Sequence, residues 1–155
     1  GSMFSNRVLI WSHSIPLLKD TVLFGEGPDM YVTAFPQDDP TFRLNGMSEN
    51  TIVDKPHNMY LQIGTNIGLV GLFALLFFFI RYLFESAKLY IRGNFDTFAE
   101  FLGVGLMSSV AAYLVTGFFN DQRISVAPLF YAMLGLGVAV NMHVRRKRQA
   151  QSETK

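Results

Sequence analysis

The spacing of polar positions changes character near residue 57. Before it, apolar residues alternate irregularly with acids, amides and prolines. Beyond it, three windows carry no Asp, Glu, Lys or Arg: Asn58–Ile80, Phe101–Asn120 and Ile124–Val144, of 23, 20 and 21 residues. A hydrocarbon core of about 30 Å requires about 20 helical residues at about 1.5 Å each, so every window is long enough to cross a bilayer. The period of two that marks barrel strands is missing, since Leu69 to Ile80 is apolar on every face. A buried hairpin in a soluble helical bundle is the competing reading, but three all-round apolar stretches leave little polar surface for a soluble coat. The pattern predicts an all-α membrane protein with transmembrane helices over 58–80, 101–119 and 124–144.

The residues ahead of these spans divide in two. Val8, Trp11, Ile15, Leu18 and Val22 recur at spacings of three and four, the mark of one helical face. Arg7, Pro16 and Lys19 break the stretch too often for a span, so 4–24 reads as an amphipathic helix on the outer membrane surface with Trp11 as its anchor. The end of a truncated span is the alternative. Ser5 or Asn6 is a suitable cap, and Pro16 is expected to kink the helix. Gly25-Glu26-Gly27-Pro28 reads as a turn, and the aperiodic remainder makes 25–57 a long loop, in which Asp38 and Asp39 are expected as a solvated pair. His13 and His143 have no evident partners in the sequence.

Charge supplies the orientation. The chain holds 13 basic and 12 acidic residues for a net +1. Arg81, Lys88 and Arg92 lie in the link 81–100, and Arg145, Arg146, Lys147, Arg148 and Lys155 in the tail 145–155, which are on the same side of a three-span chain. The other side has Arg123 in the link 120–123, and four basic residues diluted by seven acids in the first 57. The positive-inside rule therefore places the basic tail in the cytoplasm and the loop 25–57 outside. Near-zero net charge with one basic run, explained as a topology anchor, argues against a nucleic-acid partner. No Cys means no disulfide framework and no thiolate metal site, and no H-x-x-x-H spacing occurs, so neither metal nor cofactor is expected. Gly1, Ser2 and Met3 read as an expression remnant, so the natural protein is expected to begin upstream, with further transmembrane helices.

Small residues suggest close packing of the spans: Gly64 and Gly68 form a small-xxx-small pair with Gly71 a turn later, and Gly103, Gly105, Ser108, Ala111 and Ala112 give the second span a small face. A transporter fragment is one function such spans allow. Uncharged span interiors and the lack of an interrupted helix weigh against it. A structural membrane subunit without catalysis is a further alternative.

Three segments in order resemble one family: Arg7-Val8-Leu9-Ile10-Trp11; Leu23-Phe24-Gly25-Glu26-Gly27-Pro28 with Tyr31; and Pro56-His57-Asn58-Met59-Tyr60-Leu61-Gln62 with Gly68-Leu69-Val70-Gly71-Leu72. Together they are similar to the bacterial O-antigen ligase and O-antigen polymerase superfamily of polytopic membrane glycosyltransferases, over about Arg7 to Leu76. Asn66 departs from the family, which often has an acid there. The resemblance implies transfer of a glycan from an undecaprenyl-diphosphate carrier to an acceptor hydroxyl at the outer face of the bacterial cytoplasmic membrane. It maps the family's functional arginine and histidine onto Arg7 and His57. A departing diphosphate develops charge that a guanidinium grips at two oxygens, and a hydroxyl nucleophile needs a base such as imidazole. Lys55, Asn58 and Tyr60 are candidate substrate-binding or orienting groups beside them. Ligase and polymerase differ only in acceptor, and three spans alone are expected to be inactive.

Overall fold

The computed structural model of the protein describes residues 3–44, 51–91, 93 and 95–153. Six helices follow in order: α1 Met3–Asp20, α2 Tyr31–Ala34, α3 Pro40–Leu44, α4 Met59–Tyr90, α5 Phe98–Thr116 and α6 Ala127–Glu153. Among the described residues there is no strand, and α4, α5 and α6 are long and apolar enough to cross a membrane. Two of these helices outrun their uncharged windows. Much of the stretch 81–100 is helical, with Arg81 and Glu85 paired across one turn at 3.0 Å. Likewise α6 continues through the basic tetrad into the tail. Gly1 and Ser2 of the expected remnant, and Glu49, Arg92 and Lys155 of the charge count, lie outside the described residues.

The chain forms two compact units, Gly1–Leu75 with Gly117–Gln122, and Leu76–Thr116 with Arg123–Lys155. In the first, α1 packs against 31–53, where Ile10, Tyr31, Phe35, Phe42 and Val53 form the core. The buried positions of α1 are Ile10 and Ser14, followed by Thr21 just past its end, whereas Val8, Ile15 and Val22 of the expected apolar face stay exposed. Polarity disguised those positions. Ser14 Oγ donates to the Ile10 carbonyl at 2.7 Å and shares a hydrogen bond with Tyr31 Oη at 2.6 Å, so both hydroxyls are buried with partners.

The stretch expected as a loop holds two helices, α2 and α3, too short to show a period. Asp39 caps α3: its Oδ1 accepts from Thr41 N at 2.8 Å and Thr41 Oγ1 at 2.7 Å, with Pro40 in the first helical position. Its Oδ2 lies 3.0 Å from His13 Nε2, so His13 has a partner that the sequence did not show, and Asp39 does more than stand as a solvated loop acid. Gln37 closes the segment, donating to the carbonyls of Val32 and Val53 and accepting from Val53 N at 3.0 Å.

A break in α4 is the second departure. Gly68 has φ 85° and ψ 167°, a region open essentially to glycine alone, so α4 is two helical pieces, 59–67 and 69–90. Segment 21–27 fills the gap and satisfies both new ends. Leu69 N and Val70 N donate to the carbonyls of Thr21 (3.1 Å) and Val22 (3.2 Å), while Glu26 N and Gly27 N donate to those of Thr65 (2.8 Å) and Asn66 (3.1 Å). A Cβ on Gly25 would overlap the Asn66 backbone, and one on Gly68 would lie 3.0 Å from the Leu23 carbonyl. The first span is therefore interrupted, contrary to the sequence reading. Gly68 serves this crossing rather than a small-xxx-small face, and Gly64 alone of the pair seats a neighbouring side chain, that of Leu18.

In the second unit, α5 and α6 approach each other most closely. Tyr113 stacks on Phe130 at 4.1 Å near one end and Arg148 Nη2 meets Glu100 at 2.7 Å near the other, so they run antiparallel. Part 76–90 of α4 runs parallel to α6: Phe79 meets Phe130, and Tyr90 Oη donates to Asn141 Oδ1 at 2.8 Å. Gly103 and Gly137 make room for the hydroxyl ends of Tyr90 and Tyr82, whereas Gly105 faces open space. Thr97 and Glu100 form a capping box at the start of α5, with Thr97 N donating to Glu100 Oε2 at 3.0 Å.

Candidate functional site

The segment from Pro56 to Gln62 is the start of α4, and its polar groups are almost all engaged by one turn, 117–122. Asn58 caps the helix: its Oδ1 accepts from Tyr60 N at 2.9 Å and Leu61 N at 3.0 Å, and its Nδ2 donates to the Phe118 carbonyl at 3.1 Å. Met59 N donates to the Gly117 carbonyl at 2.8 Å. Gln122 N donates to Gln62 Oε1 at 2.7 Å, and the Tyr60 ring lies 4.7 Å from that of Phe118. Two stretches sixty residues apart in sequence are thereby locked together.

This lock delivers Asp121 to His57. His57 Nδ1 lies 3.0 Å from Asp121 Oδ2, with the carboxylate side chain 13% exposed and the imidazole 45%. An ionised carboxylate only accepts, so Nδ1 carries the proton and Nε2 is left as the basic nitrogen on the open side of the ring. Among the described residues Nε2 has no hydrogen bond, and Asp121 Oδ1 is buried without one. The His57 backbone is in the left-handed region at φ 51°, a conformation costing of order 1 kcal/mol outside glycine. The cap at Asn58 and the turn 117–122 hold it there. Asp121 is the residue that sequence reasoning missed. It is the lone acid in the 120–123 link, on the same expected side of the membrane as His57, which was the available signal.

Trp11 ties α1, the helix that carries Arg7, to the His57 segment. The Trp11 indole N–H donates to the Pro56 carbonyl, next to His57, at 2.8 Å. Arg7 stands four residues earlier on α1, one turn along the same face, about 6 Å along the axis. Its half-buried side chain makes no hydrogen bond or ion pair with the described residues. Trp11 is thus a tether between α1 and the His57 segment. Lys55 sits half-buried two residues before His57. The amide of Asn58 is engaged in positioning through its oxygen and one of its N–H donors, and Tyr60 is the next polar group of the segment.

Tyr31 lies beneath this site, 2% exposed, and burial pushes its phenol well above the ordinary tyrosine range. It is a core hydroxyl paired to Ser14, not a proton donor.

Residues 2–76 match the family model described as O-antigen ligase. No curated protein and no solved structure matches the chain. The matched stretch contains the Arg7–Trp11 turn, the Gly25–Gly68 crossing and His57, and it is similar over those residues to the O-antigen ligase family of glycan-transferring membrane enzymes.

Proposed function

We propose that the protein transfers a glycan from a polyprenyl-diphosphate carrier, of the undecaprenyl type, to an acceptor hydroxyl, at the outer face of the bacterial cytoplasmic membrane. The observation that carries this reading is the His57–Asp121 pair, because a carboxylate-oriented imidazole is the arrangement general base catalysis requires. In the reaction, His57 Nε2 takes the acceptor proton while the acceptor oxygen bonds to the anomeric carbon. The bond from that carbon to the diphosphate oxygen breaks, and its electron pair leaves with the diphosphate. Arg7, a planar cation with five N–H donors, stabilises that leaving charge, and Lys55 adds a second positive centre.

The break in α4 does not favour transport. In a transporter the freed helix ends point into a substrate cavity; here the exposed N–H groups of Leu69 and Val70 are taken up by Thr21 and Val22. In the full-length protein, His57→Ala and Arg7→Ala are each expected to abolish polymeric or ligated product while membrane expression persists. Unchanged yield and chain length in both variants would refute the proposal. The acceptor, whether a growing chain or a lipid-borne core, is separated by supplying each with the same donor.

A further inference from the structure

The second unit has a groove of about 180 Å³ between α4 and α6, lined among others by Phe78, Arg81, Tyr82, Glu85, Met142 and Arg145. It exists because α5 takes the close approach to α6 while α4 meets α6 through long side chains. Its lining grades along the helix axes. Phe78 and Val138 make one end apolar; Arg81 and Arg145 close the other, at the end of the bundle that also carries Arg146 and Lys147.

Both guanidiniums converge on one carboxylate. Arg81 Nη1 is 3.0 Å from Glu85 Oε1, and Arg145 Nη2 contacts Glu85 Oε2. Two positive charges against one negative leave a net +1, and each arginine has N–H donors beyond the one given to Glu85. Their side chains are 60% and 49% exposed, so those donors face outward. Tyr82, 4% exposed, lines the groove with its ring while its hydroxyl end lies against Gly137 of α6.

We propose that this groove, at Arg81, Glu85 and Arg145, binds the phosphate headgroup of an anionic phospholipid in the leaflet at the basic end of the bundle. A phosphodiester bridging the outward edges of the two guanidiniums completes their coordination. An acyl chain then continues along Phe78 and Val138, which an aqueous anion would have no means to use. Paired arginines between transmembrane helices are suited to such headgroups, each guanidinium in direct contact with the phosphate contributing about a fivefold gain in retention. Glu85 holds the forks apart and sets the net charge at +1, so its neutralisation strengthens retention.

The test is native mass spectrometry of the full-length protein released from detergent after equilibration with dioleoyl-phosphatidylglycerol or dioleoyl-phosphatidylcholine. The wild type is expected to retain phosphatidylglycerol selectively. Arg81→Gln with Arg145→Gln should reduce that retention about thirtyfold, the product of two such losses. Arg146→Gln with Lys147→Gln, outside the groove, should leave it within about twofold. Glu85→Gln should raise retention, a gain that an unfolded variant does not produce. Inorganic phosphate in the same mixture should fail to displace the lipid. No preference for the anionic lipid, an equal loss in the tail variant, weaker retention in Glu85→Gln, or displacement by free phosphate each overturns the proposal.

Discussion

His57 Nδ1 and Asp121 Oδ2 stand 3.0 Å apart, although 64 residues separate them in the chain. The pairing depends on the 117–122 turn being fastened to the start of α4 by Asn58, Met59 and Gln62. If Asp121 fixes the tautomer of His57, Asp121→Asn should lower kcat while leaving KM for the donor nearly unchanged. The loss is bounded by the contribution of a general base, about 10²–10⁴-fold. His57→Ala and the double variant should then be equally impaired, since the two residues act as one unit. Additive losses in the double variant would show that Asp121 acts elsewhere.

The Arg7 side chain tests the leaving-group role. Arg7→Lys keeps the charge but loses the planar fork, so it should retain part of the activity that Arg7→Ala loses. Trp11→Phe leaves Arg7 intact and removes the hydrogen bond to Pro56, a loss of about 1 kcal/mol in the tether. Its expected signature is a higher KM for the lipid-linked donor with smaller change in kcat. A wild-type KM in Trp11→Phe would separate Arg7 from the His57 site.

The glycines differ sharply in what they permit. Gly25→Ala and Gly68→Ala should each destabilise the first unit by about 2 kcal/mol or more, because one would overlap the Asn66 backbone and the other needs a conformation nearly closed to alanine. Gly105→Ala and Gly135→Ala meet nothing within 4 Å and replace a weak helix former, so they should be neutral or stabilising by up to about 1 kcal/mol. Thermal inactivation of the four variants in one detergent ranks them. A similar midpoint for Gly25→Ala and Gly105→Ala would remove the crossing from the account.

The cap at Asp39 makes a pH prediction. The hydrogen bonds from Thr41, with His13 adding to them, hold the Asp39 carboxyl below its ordinary value of 3.8. A carboxyl whose folded value is depressed contributes stability that is complete above the unfolded value and lost as pH falls through the folded one. The protection factor of the Phe42 amide, its exchange corrected for the intrinsic rate, should accordingly fall below about pH 4 in the wild type. Asp39→Asn caps without titrating, so the same loss of protection should be absent from it. Parallel acid profiles in the two proteins would assign the change to another group.

Much of the architecture is written in composition along the chain. Long runs without charge force backbone hydrogen bonds to be made within each segment, and in hydrocarbon that means helices, so three spans follow from residue identity alone. The chemical candidates Arg7 and His57 were legible for a related reason, since their types and neighbours carry the family resemblance. Other features were invisible because they depend on partners far away in sequence. Nothing local distinguishes Ser14 and Thr21 as core positions; Tyr31 and the α4 segment make them so. Gly68 looked like a packing glycine because glycine suits both a tight helix contact and a break, and only the carbonyls of Thr21 and Val22 decide between them. Asp121 read as a residue in a short polar link. Its meaning comes from a turn closed across sixty residues, where the geometry of hydrogen bonds rather than the pattern of side chains sets which groups meet.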